Sequence, residues 1–438
     1  MSRLARALAF LIFLVFNQAI AHIDVQKITT PKGIQVWFVE DAHTPVVSMS
    51  FSWRGGSAYS SEKKKGATDL AAIILTRGAG PHKAIAFSDL LRDLGVHLDL
   101  EVTPDLIQGH LATPLHHAPR AFDLLKMSFE KPRFDQEEVK TTKERMASIL
   151  DDVLKQPDVI VERALQQALF GHHPYGLRAR ILPGDLQTIQ RADLAQLIQK
   201  RAERASLRVA VCGAISKEVL VRLVDDTFAS FAEARDLPAL ARPTWPQNHT
   251  LIAEDTAHPQ AEVMIYHPGV SVQDPDFIKL GLLNRVLVSS LKGRLPEELR
   301  EKRGLVYSVS TDVENLDAAD IWSISFATES AKAKEAITVV REQLQKIKEE
   351  GISAQELQDA QENLIGSLAT RLLTSASIAN TLHHFMRHGY PVDYLKLREE
   401  RIRSVSLDDM NAFIRRFIQL DHLLIAAAGA NITKELTP

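Results

Sequence analysis

Apolar and polar positions along the chain fall into two similar series of elements. Extended apolar runs open each series, at Ile34–Glu40 and Val46–Trp53 in the first and at Thr250–Glu254 and Ala261–Tyr266 in the second. Further strands are predicted at Leu305–Asp312 and Ile321–Thr328, and long helices with one polar face at Ala331–Glu350 and Ala354–Leu373. Each series closes alike. Asp193-Leu194-Ala195-Gln196-Leu197-Ile198 leads into the apolar run Leu207 to Gly213, and Asp409-Met410-Asn411-Ala412-Phe413-Ile414 leads into Leu423 to Gly429. Asp193 to Asp409 and Gly213 to Gly429 are the same distance apart, 216 residues, so helix, turn and strand repeat without a gap. Strands grouped with helices, rather than strictly alternating with them, predict an α+β class built as two α/β sandwich halves. The prolines of Asp236 to Asn248 mark a linker at 232–248 between a first half, 22–231, and a second, 249–438. Two such halves suggest a clam-shell around an inner surface.

Residues 1–21 are set apart. Arg3 and Arg6 precede an apolar stretch from Ala7 to Phe16, and Ala19-Ile20-Ala21 is a small-residue cleavage pattern. This predicts a cleaved signal peptide, a mature chain starting at His22, export to a periplasm and no membrane insertion afterwards. An uncleaved anchor is the weaker alternative, because the apolar stretch is short for a bilayer. The single cysteine, Cys212, excludes an internal disulfide and fits a buried strand thiol. A net charge of -3 with mixed signs gives no electrostatic case for a nucleic-acid partner.

One segment carries a more specific signal. Arg294-Leu295-Pro296-Glu297-Glu298-Leu299-Arg300-Glu301-Lys302-Arg303-Gly304-Leu305-Val306-Tyr307-Ser308-Val309 resembles the second-half signature of the insulinase/pitrilysin zinc peptidases, a group that includes the mitochondrial processing peptidase. The resemblance extends to the duplicated halves, to Gly171-His172-His173-Pro174-Tyr175-Gly176 and to the helix from Gly66 to Gly78. It implies that Arg300 and Tyr307 bind the substrate backbone at the scissile bond. Independently, Gly304 should end the helix bearing Arg300, and Tyr307 should share a strand face with Leu305 and Val309.

Active members hold zinc on a His-x-x-Glu-His helix. Here the corresponding positions are Asp69, Ala72 and Ile73, and the family's downstream metal-binding glutamate falls on Ile149. No imidazole and no general base remain. The resemblance therefore implies a catalytically incomplete subunit that binds no cofactor itself. Its expected partners are a zinc-bearing subunit of the same family and a peptide or unfolded-protein substrate, with the tetrahedral intermediate stabilised in trans. Two alternatives stay open: a scaffold or peptide-binding subunit, and a free-standing metallopeptidase with substitute ligands.

Other histidines read as structural. His384 and His388 have helical ligand spacing beside His383, but Gly389 follows and a polar helix end is expected. His172-His173 reads as a turn feature, and His116-His117 as a surface helix start.

Overall fold

The computed structural model describes residues 23–246, 250–289 and 293–436. The signal segment 1–21 and part of the linker 232–248 lie outside the described residues.

Two sheets carry the repeat. The first uses β1 (Gln26–Thr29), β2 (Gln35–Glu40), β3 (Val46–Arg54), β4 (His97–Val102), β5 (Leu106–Pro114) and β6 (Arg208–Gly213), in the order β1-β2-β6-β3-β5-β4. The second uses β7 (Thr250–Asp255), β8 (Gln260–Pro268), β9 (Val306–Asn315), β10 (Asp320–Glu329) and β11 (Leu424–Gly429), in the order β7-β11-β8-β10-β9. Without β1 the two orders are the same. In both, the last strand enters the middle, parallel to the first and antiparallel to the next. These entering strands, Arg-Val-Ala-Val-Cys-Gly and Leu-Ile-Ala-Ala-Ala-Gly, are apolar almost throughout because both of their faces are covered. The α+β class with two homologous sandwiches is thus present, and the strand and helix runs read from the sequence are found within a few residues.

The longer helices are α1 (Ala67–Leu75), α2 (Ala84–Asp93), α3 (Ala118–Glu130), α4 (Gln136–Val153), α5 (Pro157–Phe170), α6 (Arg191–Arg201), α7 (Lys217–Thr227), α8 (Phe277–Val288), α9 (Ala333–Glu350), α10 (Ala354–Thr370), α11 (Ser375–Arg387), α12 (Tyr394–Arg403) and α13 (Leu407–Phe417). Helix α9 shows why they pack: Ala336, Ile337, Val340, Leu344 and Ile347 form one buried stripe at helical spacing. Burying each large aliphatic side chain contributes about 1.5–3 kcal/mol.

The compact units differ from the contiguous halves 22–231 and 249–438. One comprises the chain up to Arg145, Gly184–Pro238 and Gly366–Glu399. The other comprises Met146–Pro183, Ala239–Ile365 and the chain from Glu400. Each sheet belongs to one half, but each half lends a helix to the other's sheet. Helix α11 packs on β3 and β6, and α5 packs on β8 and β11. The physical reason is that a central sheet has two faces to cover. In the first unit Phe51, Trp53, Phe129 and Phe228 fill one side. On the other side Trp37, Val39, Ala210 and Cys212 are covered by Ile378, Ala379, Leu382 and Phe385 of α11. Periodicity marks α5 and α11 as amphipathic helices without specifying which sheet they cover.

Candidate functional site

Arg300 and Tyr307 are brought together by the segment that joins α8 to the second sheet. Buried Leu295 and Leu299 anchor a π-helical stretch, Glu297–Lys302, which carries Arg300. Gly304 ends it at φ +59, the left-handed conformation that glycine adopts without strain, and its N–H donates to the Arg300 carbonyl at 3.1 Å. The Leu305 N–H then donates to the Leu299 carbonyl at 2.7 Å, and the Leu305 carbonyl accepts from the buried Thr328 hydroxyl at 2.7 Å.

Tyr307 does not share a face with Val309, contrary to strict alternation. Val309 pairs with Phe326 and Val306 with Thr328, so Tyr307 and Ser308 together oppose the single residue Ala327. This β-bulge resets the alternation. Val306 and Val309 both turn to the core, while Tyr307 is left 80% exposed. The Arg300 guanidinium lies over its ring, with Cζ 5.5 Å from the centroid. At an exposed position such a contact contributes about 0.5–1 kcal/mol, enough to bias two side chains toward one spot. A guanidinium and a phenol are strong donors, suited to a carbonyl oxygen that gains negative charge. Glu301 is the nearby counter-charge, 3.5 Å from Arg300 Nε and solvent-exposed, so the pair is only weakly held. Arg303 is committed elsewhere, toward Glu298 and Glu335.

The zinc-motif positions have a structural account of their own. Asp69 occupies the first turn of α1, where free amides and the helix dipole favour a carboxylate. Ala72 is buried in the core, and Ile73 is partly buried on the same helix. Ile149 lies on α4 past Arg145, in the second compact unit, and is 55% exposed. A methyl and two sec-butyl groups offer no lone pair to a metal, so this residue set does not fit a zinc ion. Among the described residues, no group of three or more His, Cys, Asp or Glu side chains is placed to hold one elsewhere.

Several of the remaining histidines have partners. His173 caps the turn Pro174–Arg180, accepting from the Tyr175 N–H at Nδ1 and donating from Nε2 to the Ala241 carbonyl at 2.8 Å. His116 and His117 form the turn that leads into α3. At the His383–His388 end of α11 the expected polar helix end holds for exposed His384 and half-buried His388, while His383 is buried. His383 is buried because this is the helix lent to the first sheet. His383 Nε2 meets the Ser52 hydroxyl at 2.8 Å. Burial, reinforced by Arg387, lowers the pKa of His383 to about 3. Burial likewise pushes the Cys212 thiol up to about 12, which leaves it unreactive.

Two features escaped sequence reasoning. The first is buried Arg201 at the end of α6, whose guanidinium donates to the carbonyls of Gly55, Gly56 and Tyr59 and to the Thr68 hydroxyl of α1. The second is a cavity of about 540 Å³ on the first sheet beside α11. Its signal in the sequence is the period-two placement of His97, Asp99 and Glu101 in β4.

Family profiles match both halves of the chain: Insulinase (Peptidase family M16) over residues 35–180 and Peptidase M16 inactive domain over 188–364. The chain belongs to the insulinase family. Within it, this member lacks the zinc-binding motif. A non-peptidase homolog, YmxG of Helicobacter pylori, is 24% identical over 93% of this chain and 94% of its own length. The crystal structure of a peptidase M16 inactive domain from Pseudomonas fluorescens superposes with a TM-score of 0.87 at 22% identity, over 93% of this chain and 98% of that one. The periplasmic protease PqqL of Escherichia coli gives 0.77 at 16% identity, over 93% of this chain and 45% of that one. No helix among the described residues is long and apolar enough to cross a membrane.

Proposed function

We propose that this insulinase-family chain is the catalytically incomplete subunit of a heteromeric, periplasmic zinc metallopeptidase, binding peptide and stabilising the tetrahedral intermediate in trans. The observation that carries this reading is the contrast between two sites. The metal positions hold Asp69, Ala72, Ile73 and Ile149, while Arg300 and Tyr307 remain paired on an exposed surface at 5.5 Å. Metal chemistry would belong to a zinc-bearing partner of the same family. This chain's part is to donate hydrogen bonds from Arg300 and Tyr307 to the scissile carbonyl as its oxygen gains charge. The substrate backbone would run extended and add to a sheet edge; β4 and β9 are the terminal strands of their sheets.

The test is reconstitution. Mixing the chain with its zinc-bearing partner should give peptidase activity that neither shows alone. Tyr307→Phe removes one donor and should lower kcat/KM by roughly a hundredfold with assembly intact. Arg300→Ala should be at least as severe, and Arg303→Ala mild. Normal assembly with unchanged cleavage by Arg300→Ala/Tyr307→Phe would transfer the role to a scaffold or peptide-binding subunit, a reading that the non-peptidase relative favours.

A further inference from the structure

Helix α11 is held on the first sheet by a seam of two kinds of contact. Ile378, Ala379, Leu382 and Phe385 meet Trp37, Val39, Ala210 and Cys212, which makes the seam apolar along most of its length. Two polar contacts run beside it. The Ser50 hydroxyl donates to the side-chain oxygen of Asn380, and the Ser52 hydroxyl meets His383 Nε2 at 2.8 Å. Residues three apart on α11 thus reach residues two apart on β3, one helix face on one strand face. Both ends of α11 join exposed chain, Arg371 and Leu373 before it and Gly389, at φ +72, after it.

His383 is where this seam is sensitive to acid. It is 6% exposed, and its ring makes one hydrogen bond among the described residues, to Ser52. A protonated ring carries a charge and two N–H donors, so one donor would be left without an acceptor. The groups that act on it electrostatically are Arg387, His384 and His388 of α11 and His110 of β5, each of them basic. Arg208, the register partner of Ser52 on β6, is a further cation on that face. Asp99, the register partner of His110, is held by His97 at 3.0 Å. Burial and the neighbouring cations keep the docked ring at a pKa of about 3, against 6.5 for a solvated imidazole. A released helix takes up a proton that the docked helix refuses. Docking is therefore full above about pH 7 and weakens as pH falls through 6.5 toward 3.

We propose that α11 is an acid-released cover of the first sheet: it lifts at His383 before the sheet itself unfolds, and bares the apolar face of Trp37, Val39 and Ala210. The proposal goes beyond the peptidase reading and needs neither the zinc-bearing partner nor the Arg300–Tyr307 pair.

Cys212 is the reporter, since it is the chain's single thiol and lies fully buried under α11. The experiment follows its reaction with a neutral pyridyl disulfide in the mature chain at pH 7, 6 and 5. Each rate is divided by that of an unstructured peptide spanning Leu207 to Gly213, which removes the pH dependence of the thiol itself. The ratio should rise about 25-fold from pH 7 to pH 5, the effect of one proton taken up by a group at 6.5 when released and about 3 when docked. His383→Gln keeps a donor for Ser52 and cannot titrate, so it should hold the rise to within about threefold. At each pH the opening free energy read from Cys212 should lie below the unfolding free energy read from urea. Equality of the two would mean that the cover opens only with the whole fold, and overturns the proposal. So does a rise of less than about threefold in the unaltered chain, or a rise that His383→Gln leaves unchanged. Two of these three readings use the unaltered chain, so the proposal stays falsifiable should His383→Gln fold poorly.

Discussion

Arg201 illustrates how one side chain can hold a loop and the helix that follows it. Its guanidinium is buried without a carboxylate among its hydrogen-bond acceptors, and burial lowers its pKa to about 10. The charge is tolerable because three backbone carbonyls and a hydroxyl accept from it at 2.6 to 3.1 Å. Those acceptors sit in the loop before α1 and on α1 itself. Arg201→Met should destabilise the fold by about 3 kcal/mol or more, because it strands several buried carbonyls at once. Arg201→Lys should recover only part, lacking the planar fork. Urea denaturation of the three proteins measures both differences. Neither effect was legible in the sequence, where Arg201 is one more cation at the end of an amphipathic helix.

At the scale of elements, α11 has its own pH dependence. His383 has a pKa of about 3 in the fold and an ordinary value of 6.5 when exposed. A depressed histidine pKa means that the unfolded chain takes up protons the folded chain refuses. Stability is therefore full above about pH 7 and falls as pH drops through 6.5 toward 4. Each fully shifted histidine contributes up to about 1.4 kcal/mol per pH unit over that window. Urea unfolding at pH 7, 6 and 5 should follow this trend, and His383→Gln should make the slope shallower. Much at this scale was readable beforehand. Strand runs, the helix stop at Gly304 and the repeat follow from local pattern, and the Arg300–Tyr307 segment follows from a motif. The bulge at Tyr307 and Ser308 was not readable, because it depends on the register of β9 against β10 rather than on β9 alone. The burial of His383 was equally hidden, since helical periodicity names a buried face and leaves its partner open.

At the scale of the molecule, the chain passes between its compact units five times, at 145/146, 183/184, 238/239, 365/366 and 399/400. Only the third crossing lies in the proline-rich linker. Cleavage between Pro238 and Pro246 should therefore give two fragments on a denaturing gel that co-elute as one native species, because each fragment keeps a helix packed in the other's sandwich. Separation of the fragments under native conditions would contradict the exchanged helices.

The same crossings constrain the order of events during synthesis. The first sheet is complete once β6 has emerged, yet its second face waits for α11, which ends at Arg387 of 438 residues. A nascent first half thus exposes Trp37, Val39 and Ala210 for most of translation. It cannot reach its native sandwich by local folding, and the long sequence separation between sheet and helix slows closure. The same delay makes that half a client for chaperones, and truncation before α11 should yield an aggregation-prone product rather than a smaller stable domain.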